Sequence, residues 1–406
     1  MIKLPEIEPD RLAIKLKPAA ERMVKKGHPW VFSDSIVKQS AEGKAGDLAI
    51  IYDNKKNKFL AIGLLDPHSP IRIKILQVHQ SANIDADWFK TKTQTAFDLR
   101  KSLLETDTNS YRLLFGENDG MPGFIADVYD EVLVVKLYSA AWFPYLKDIL
   151  PHLLEITKTA VLVLRLSRAL QQMASDHQLQ DGQVLHGDLK SAEVIFKEHG
   201  LSFSANVIKG HKTGYFLDHR ANRKRIGALA QGKTVLDVFA YAGGFSVHAL
   251  AGGATEVISL DISKQALEMA KKNAALNLHS GKHITLAADA FEGLQNMIRE
   301  NKAFDIVVID PPSFAKKESE VEGAKNSYRR LAKLGAQLVN KGGMLLLASC
   351  SSRIKTNDFF EICEKALVEC SGQFELVDKT FHDVDHPVGF VEGAYLKAGY
   401  WRWGGK

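Results

Sequence analysis

Cysteine is scarce in this chain, and long apolar runs are missing. Only 3 of the 406 residues are cysteine, and no two of them have the short spacing of a zinc site or a disulfide framework. No stretch of about 18 consecutive apolar residues occurs, so no membrane span is expected. The N-terminal residues also lack the apolar segment of a signal peptide. We therefore expect a cytoplasmic protein that binds neither a membrane nor a metal ion.

Net charge is small as well, but it is unevenly distributed. The formal net charge is +5, and residues 1–80 hold 14 Lys and Arg against 9 Asp and Glu, which accounts for the whole excess. A basic N-terminal segment is a weak indication of a polyanionic partner such as a nucleic acid. The alternative is ordinary surface charge that serves only solubility.

The N-terminal part has the pattern of a small all-β domain. Leu12–Leu16 and Ile71–Leu76 alternate between apolar and polar residues, as half-buried strands do. The polar stretch Asp53–Lys58 predicts the tip of a hairpin between two further apolar strands. Short strands that bury one face and remove their edges favour a small β-barrel, which we place in a domain over residues 1–80.

The middle part mixes helical and strand periodicity. Apolar residues recur at helical spacing from Trp88 to Leu104, and Gly and Pro interrupt the strand-like segments that follow. Val194–Val207 predicts a hairpin. These patterns predict a central α+β domain over residues 81–210.

From Lys233 onward, apolar β-rich runs alternate with helical segments. The predicted strands are Thr234–Val238, Glu256–Leu260, Ile284–Ala287, Ile306–Ile309 and Met344–Ala348. This alternation predicts an α/β domain over residues 211–406, built on a parallel sheet with helices on both faces.

The first of these strands leads into a glycine-bearing loop. The segment Leu236–Ser246 has neither the spaced glycines of dinucleotide enzymes nor a P-loop lysine. Asp261 and Asp289 follow the next two strands, so all three loops lie at the sheet edge where open α/β sheets bind ligands. Either acid is also explained as a helix N-cap. Together the loops predict an adenosyl ligand, held by Asp237, Phe239, Gly243, Gly244, Phe245, Asp261, Asp289 and Phe291.

Two further strand ends carry a polar loop and a lone thiol. Asp310–Phe314 follows one strand, and Cys350 follows the strand Met344–Ala348. Cys363 and Cys370 are seven residues apart on a predicted helix and are expected in the core. A thiolate that adds to carbon 6 of cytosine activates carbon 5 for methylation. Cys350 by itself is better explained as a small buried apolar residue, but its flanking serines and the Asp310 loop favour a cytosine-5 methyltransferase with Cys350 as nucleophile.

At this point the sequence resembles a known family. The strand-end motifs above are similar to those of class I S-adenosylmethionine-dependent methyltransferases. Gly27–Phe32, Gly120–Phe124, Thr213–Arg220 and Glu392–Lys397 resemble the bacterial 23S ribosomal RNA large-subunit methyltransferase I family, over residues 10–403. The resemblance implies a PUA domain, a central α+β domain and a C-terminal Rossmann-like methyltransferase domain. It also implies the cofactor S-adenosylmethionine and the product 5-methylcytosine in 23S rRNA.

The resemblance also implies roles for individual residues. The Thr213–Arg220 segment would place four side chains beside the methionine end of the cofactor, namely Tyr215, Leu217, Asp218 and Arg220. Core packing is the alternative for Tyr215 and its neighbour Phe216.

For the reaction itself we expect Asp310 to contact ring nitrogen 3 and the exocyclic amine of the base and to border the cofactor. Pro311 and Pro312 would stiffen this loop, and Phe314 would stack on the flipped base. His386 is a candidate for the base that removes the carbon-5 proton, although a histidine in such a turn is more often structural. The basic cluster Arg220, Arg223, Lys224 and Arg225 is a candidate track for phosphates.

Other functions fit parts of the pattern. An Asp-Pro-Pro-Phe loop also suits an RNA guanine or adenine amino-methyltransferase, which would not need Cys350. A small-molecule methyltransferase would leave the basic module without a role. A non-catalytic RNA-binding protein would not need its strand-end acids. We expect 23S rRNA or a large-subunit assembly intermediate as partner, and a homodimer is compatible with the sequence.

Overall fold

The computed structural model describes residues 4–370 and 373–404. The prediction that the N-terminus is not a signal peptide partly concerns residues 1–3, which lie outside the described residues. The chain forms two compact units. The first unit comprises 1–200, 204–217 and 384–393, and the second comprises 201–203, 218–383 and 394–406. Over the range described, we find no helix with both the length and the apolar character needed to cross a membrane.

The first unit begins with a six-stranded sheet and one helix. Its elements are β1 (Arg11–Leu16), α1 (Pro18–Lys25), β2 (Trp30–Phe32), β3 (Ile36–Gln39), β4 (Leu48–Tyr52), β5 (Phe59–Leu65) and β6 (Ile71–Val78). The strand order is β2-β6-β5-β4-β1-β3, and every pair is antiparallel except β1 with β4. Alternate side chains of β1 are buried, as the apolar/polar alternation predicts.

A second sheet of the first unit packs against helices. Its elements are α2 (Ala86–Leu104), β7 (Ser110–Phe115), β8 (Phe124–Tyr129), β9 (Val132–Leu137), α3 (Leu146–Thr157), β10 (Val161–Leu166), α4 (Gln171–Ser175) and β11 (Gln183–His186). The order β11-β10-β9-β8-β7 contains one parallel pair, β9 with β10. Helix α2 begins where Asp85 accepts a hydrogen bond from the Trp88 amide at 3.0 Å, the geometry of an N-cap. The predicted hairpin is present as β12 (Glu193–Glu198) and β13 (Leu201–Asn206).

The second unit is a doubly wound α/β sheet. Its elements are α5 (Arg220–Leu229), β14 (Thr234–Val238), α6 (Gly244–Ala251), β15 (Glu256–Asp261), α7 (Lys264–Ala275), β16 (Lys282–Ala287), α8 (Ala290–Arg299), β17 (Phe304–Ile309), α9 (Val321–Ala336), β18 (Val339–Ser349), α10 (Thr356–Cys370), β19 (Phe374–Thr380) and β20 (Lys397–Trp403). The order is β16-β15-β14-β17-β18-β20-β19. The five predicted strands are the parallel ones, so the predicted fold class is confirmed.

Two features of the second unit differ from the sequence-based expectation. Strands β19 and β20 extend the sheet by antiparallel pairing and were not predicted. The prediction that both helical cysteines lie in the core is wrong for one of them: Cys363 is buried, but Cys370 is exposed. Cys370 is the last residue of α10, where the helix face leaves the core. The predicted domain boundaries at residues 80 and 210 remain predictions.

Candidate active site

The loop after β14 has an unusual backbone. Phe239 and Tyr241 have φ values of +65° and +47°, and Gly243 has +75°. Residues other than glycine rarely adopt this left-handed region of backbone conformation. Each of Phe239 and Tyr241 therefore carries a conformational cost on the order of 1–3 kcal/mol. A Cβ atom at Gly243 would lie 2.8 Å from the Cβ of Ala270. Both the dihedral angle and the close packing therefore require glycine here. Strained loops of this kind cluster at ligand sites.

Asp237 lies at the base of this loop with no exposed surface. Its Oδ2 accepts hydrogen bonds from the amide and the hydroxyl of Ser246, at 3.0 and 2.6 Å. Its Oδ1 is buried and has no hydrogen-bond partner among the residues that the structure describes. Burial raises the pKa of Asp237 to about 7. Buried polar atoms are nearly always paired, so an acceptor left over at this edge fits a bound polar ligand.

A chain of hydrogen bonds runs from Asp237 through Ser246 and Ser259 to His283. The hydroxyl oxygens of Ser246 and Ser259 are 2.6 Å apart, and Ser259 Oγ is 2.8 Å from His283 Nε2. Burial lowers the pKa of His283 to about 4, so its ring is neutral at pH 7. An ionised Asp237 only accepts, so each hydroxyl donates toward it and the His283 N–H donates to Ser259. The chain stabilises the carboxylate against its burial.

Asp261 and Asp289 follow the next two strands, as predicted. Asp261 accepts from the Tyr241 amide at 2.9 Å and from the Ser263 amide at 2.8 Å, which ties the loop after β15 to the loop after β14. Ser263, and not Asp261, caps helix α7. Asp289 is the N-cap of α8 and accepts from the amides of Phe291 and Glu292. The guanidinium of Arg330 stacks 4.5 Å from the ring centre of Phe291, a contact that was not predicted.

Asp310 directly follows β17 and lies beside a buried histidine. Its Oδ1 lies 3.3 Å from Nε2 of His219, the residue before α5. Burial lowers the pKa of His219, but the Asp310 carboxylate outweighs it, so the pKa of His219 is raised overall. Asn222 Nδ2 lies 3.0 Å from His219 Nδ1. This amide orientation is fixed because Asn222 Oδ1 accepts from the hydroxyls of Thr380 and Tyr400. In the neutral ring, Nδ1 therefore accepts and Nε2 carries the proton, within ion-pair distance of Asp310.

The thiol of Cys350 lies beside the Asp310 loop. Cys350 follows β18, which pairs in parallel with β17, and its Sγ is 3.6 Å from the carbonyl oxygen of Pro311. The side chain is half-buried, in contrast to the fully buried Cys363. Burial raises the pKa of the Cys363 thiol, which makes that residue unreactive. The ring of Phe314 meets Tyr328 edge to face at 5.3 Å.

The Thr213–Arg220 segment spans both units. In the first unit, Tyr215 is buried, its ring contacts Phe196, and Leu217 is also buried. In the second unit, Asp218 accepts a hydrogen bond from the Tyr395 hydroxyl at 2.8 Å. Arg220 is fully buried and lies 3.4 Å from Asp383.

Two models of known protein families match this chain. A family model described as S-adenosylmethionine-dependent methyltransferase matches residues 112–392. The chain belongs to this methyltransferase family. A PUA-like domain model matches residues 14–77, in agreement with the predicted N-terminal module. The cofactor of this methyltransferase is thus S-adenosylmethionine, as predicted.

Curated relatives match over nearly their full length. The chain is 42% identical to a ribosomal RNA large subunit methyltransferase of Deinococcus radiodurans, with 96% of each chain covered. It is 34% identical to ribosomal RNA large subunit methyltransferase I of Shewanella frigidimarina, covering 95% of this chain and 98% of the relative. The predicted resemblance to that family is confirmed.

Solved structures share the fold. A methyltransferase crystallised with SAH superposes with a TM-score of 0.81 at 21% identity, covering 97% of this chain and all of the other. A SAM-dependent methyltransferase of Streptococcus mutans gives a TM-score of 0.80 at 20% identity, covering 96% and 99%. Both likenesses concern the fold.

The predicted basic cluster and His386 lie in other surroundings than a functional role would require. The basic cluster does not form one exposed track: Arg220 and Arg223 are buried, and Arg225 stacks on Tyr400 and pairs with Asp378. Helical spacing of three residues turns the first two arginines inward together. His386 is buried in the first unit against Asp385 at 2.8 Å, which suits a structural role.

Sequence reasoning missed the residues that support the site. His219 belongs to a motif that resembles the family, directly before Arg220, but no role was assigned to it. Ser246, Ser259 and His283 lie on separate elements without a recognisable spacing. In residues 4–370 and 373–404 there is no grouping of three or more His, Cys, Asp or Glu side chains suited to a metal ion.

Proposed function

We propose that this methyltransferase transfers a methyl group to carbon 5 of a cytosine in 23S rRNA, with Cys350 as covalent nucleophile. The observation that carries the proposal is the 3.6 Å separation between Cys350 Sγ and the Pro311 carbonyl oxygen. At this distance, a half-buried thiol and the loop suited to hold a base lie side by side at the ends of adjacent strands. The curated relatives, which are named for the large ribosomal RNA, support RNA as the substrate.

The residues at the carboxyl ends of β14 to β17 suit the cofactor. The unpaired Oδ1 of buried Asp237, the strained glycine loop and the carboxylate of Asp261 offer acceptors for the amine and ribose groups of an adenosyl ligand. Asp289 and Phe291 would border the adenine. When bound, S-adenosylmethionine supplies the methyl group. Tyr215, Leu217, Asp218 and Arg220 are proposed at its methionine end on the family resemblance.

The chemistry on the base falls to Cys350 and Asp310. The Cys350 thiolate attacks carbon 6, which forms the sulfur–carbon bond and makes carbon 5 nucleophilic. Asp310 accepts a hydrogen bond from the exocyclic amine, and from ring nitrogen 3 once that nitrogen is protonated as the thiolate adds, and so stabilises the altered ring. Phe314 stacks on the base. After methyl transfer, the carbon-5 proton leaves to a base and the sulfur–carbon bond breaks, which restores the thiolate.

The partner proposals follow from charge. The excess of positive charge within residues 1–80 suits phosphate contacts by the PUA-like module. Ribosomal RNA is the proposed substrate, either free or within an assembly intermediate. The homodimer and the cytoplasmic location remain predictions.

Trapping with a modified RNA tests the mechanism. RNA that contains 5-fluorocytosine should form a covalent complex with the wild type in the presence of cofactor, because fluorine at carbon 5 cannot leave as a proton. Cys350→Ser should give no complex on a denaturing gel while it still binds cofactor. Cys370→Ser, which changes the exposed cysteine, is the matched control and should form the complex.

The opposite result would favour amino-methylation. If Cys350→Ser retains activity and the wild type forms no complex, the product nucleoside, identified by mass spectrometry, should be a methylated guanine or adenine. In that case Asp310 and the Pro311 carbonyl would hold the target amine.

A further inference from the structure

Lys397 is a buried cation on the strand that pairs with the strand leading to Cys350. It is the first residue of β20 and pairs across the sheet with Ser349, the last residue of β18. Its side chain has no exposed surface. The ammonium donates to the carbonyl oxygens of Ser351, of Ile354 at 2.7 Å and of Tyr395 at 3.2 Å. Lys397 therefore holds the turn that begins with Cys350.

The three acceptors are neutral, and among the residues that the structure describes no carboxylate forms a salt bridge with Lys397. Carbonyl oxygens solvate an ammonium, but they carry no net charge, and a buried charge without a counter-charge is costly. Burial lowers the pKa of Lys397 to about 8, and its interaction with Cys350 opposes this effect. The negative form of Cys350, whose neighbour Ser351 binds the ammonium directly, is the counter-charge that acts on Lys397.

We propose that Lys397 is a positioning residue for Cys350: it fixes the turn after β18, and its charge favours the thiolate over the thiol. The inference rests on the proposed role of Cys350 as nucleophile. At pH 7, below its pKa of about 8, Lys397 is mainly protonated, and the thiol proton passes to solvent. A cation beside a thiol is a general means of making cysteine reactive at neutral pH.

A purely structural clamp makes a different prediction. A clamp needs only donors that reach the three carbonyl oxygens, whereas thiolate stabilisation needs positive charge. Lys397→Arg keeps both properties. Lys397→Gln keeps a donor and removes the charge, and Lys397→Met removes both. Comparing these variants separates charge from hydrogen bonding.

Alkylation of Cys350 measures the thiolate directly. In a Cys370→Ser background, the rate of iodoacetamide labelling of Cys350 is followed against pH by mass spectrometry, with buried Cys363 as internal reference. We expect Lys397→Gln and Lys397→Met to slow labelling at pH 7 by about tenfold and to move the rate midpoint to higher pH. Lys397→Arg should stay close to the parent protein. Cofactor titration and thermal unfolding verify that each variant is folded.

The outcomes are separable from those of the trapping experiment. An unchanged labelling profile in folded Lys397→Gln would overturn the charge role, even if turnover fell. If Lys397→Met does not fold, the Gln and Arg variants decide. Failure of the wild type to form a complex with 5-fluorocytosine RNA would instead overturn the role of Cys350, whatever the labelling profile.

Discussion

His219 points Nε2 at Asp310 Oδ1 from 3.3 Å, and Asn222 holds the opposite side of the ring at 3.0 Å. The histidine thus orients the Asp310 carboxylate, which we propose to bind the target base. Orientation of a catalytic group contributes to rate because small displacements weaken transition-state contacts.

The His219–Asp310 contact predicts a difference between two substitutions. His219→Leu removes the imidazole beside Asp310 and should lower the single-turnover rate at saturating cofactor by about tenfold or more. In His219→Gln the side-chain amide nitrogen replaces Nε2, so a larger part of the rate should remain. Rapid-quench measurement of methyl transfer compares the two. Equal losses in both folded variants would mean that the contact with Asp310 does not orient the reaction.

Asp237 predicts a pH-dependent stability change. Its pKa is raised from 3.8 to about 7, so the native state of the cofactor-free protein loses stability as the pH rises through this interval. Asp237→Asn removes the buried charge. Relative to wild type, the variant should gain on the order of 2–4 kcal/mol in unfolding free energy at pH 8 and almost nothing at pH 4. Urea unfolding at both pH values measures this.

The Asp237→Asn substitution should also weaken binding of the cofactor. An amide at position 237 cannot supply the charge that we propose to face the bound amine, so affinity for S-adenosylmethionine should fall at pH 8. Titration calorimetry on the stabilised variant would show it.

An Asp237→Asn protein that is no more stable at pH 8 than at pH 4, relative to wild type, would contradict the raised pKa.

Gly243 has a matched control within the chain. Gly243 and Gly342 have φ values of +75° and +78°, but an added Cβ meets Ala270 at 2.8 Å only at Gly243 and meets nothing within 4 Å at Gly342. Gly342→Ala should cost about 1 kcal/mol from the backbone alone. Gly243→Ala should cost about 1–3 kcal/mol more, because the loop must move. Chemical denaturation gives both values, and similar losses would show that Ala270 yields without strain.

The exposed turn between β4 and β5 predicts salt-dependent RNA binding. Its lysines are Lys55, Lys56 and Lys58. If this turn contacts phosphates, replacing all three by Gln should weaken binding of a 23S rRNA fragment and reduce the slope of log affinity against log salt by about 2. Filter binding over a salt series measures the slope.

A triple Gln variant on the second unit controls for net charge. Its exposed lysines are Lys302, Lys341 and Lys365. This variant removes the same charge and should leave the slope nearly unchanged. Equal slopes in the two triple variants would mean that the turn makes no specific phosphate contacts.

Strong periodicity made most of the sheet predictable. The strands β14 and β17 are mostly apolar because both faces are covered, with Asp237 and Asp305 as the charged exceptions, and their predicted bounds agree with the structure to within two residues. Strand β19 exposes most of its side chains and reads as polar, and β20 carries a glycine. Neither strand has the longer apolar run of a buried parallel strand, so the sequence indicates them only weakly.

The acids of the site were predictable for a different reason. A carboxylate that follows a parallel strand lies at the ligand-binding edge whatever the rest of the fold does. Its partners depend on tertiary packing: His219, His283 and Lys397 reach the site from separate elements of the second unit. No spacing in the chain encodes those contacts, and the structure supplies them.

Helices α5 and α6 meet main chain to main chain. A Cβ at Gly252, which follows α6, would lie 2.0 Å from the Gly227 carbonyl oxygen, and one at Gly227 would lie 2.7 Å from the His248 carbonyl oxygen. Helix α5 starts immediately after His219, and α6 starts immediately after Gly243. The separation between the two helices is therefore set by peptide groups, whose size no mutation alters. A side chain at position 227 or 252 would therefore push apart the helix that follows His219 and the helix that follows Gly243, and with them the base-holding and cofactor-binding halves of the site.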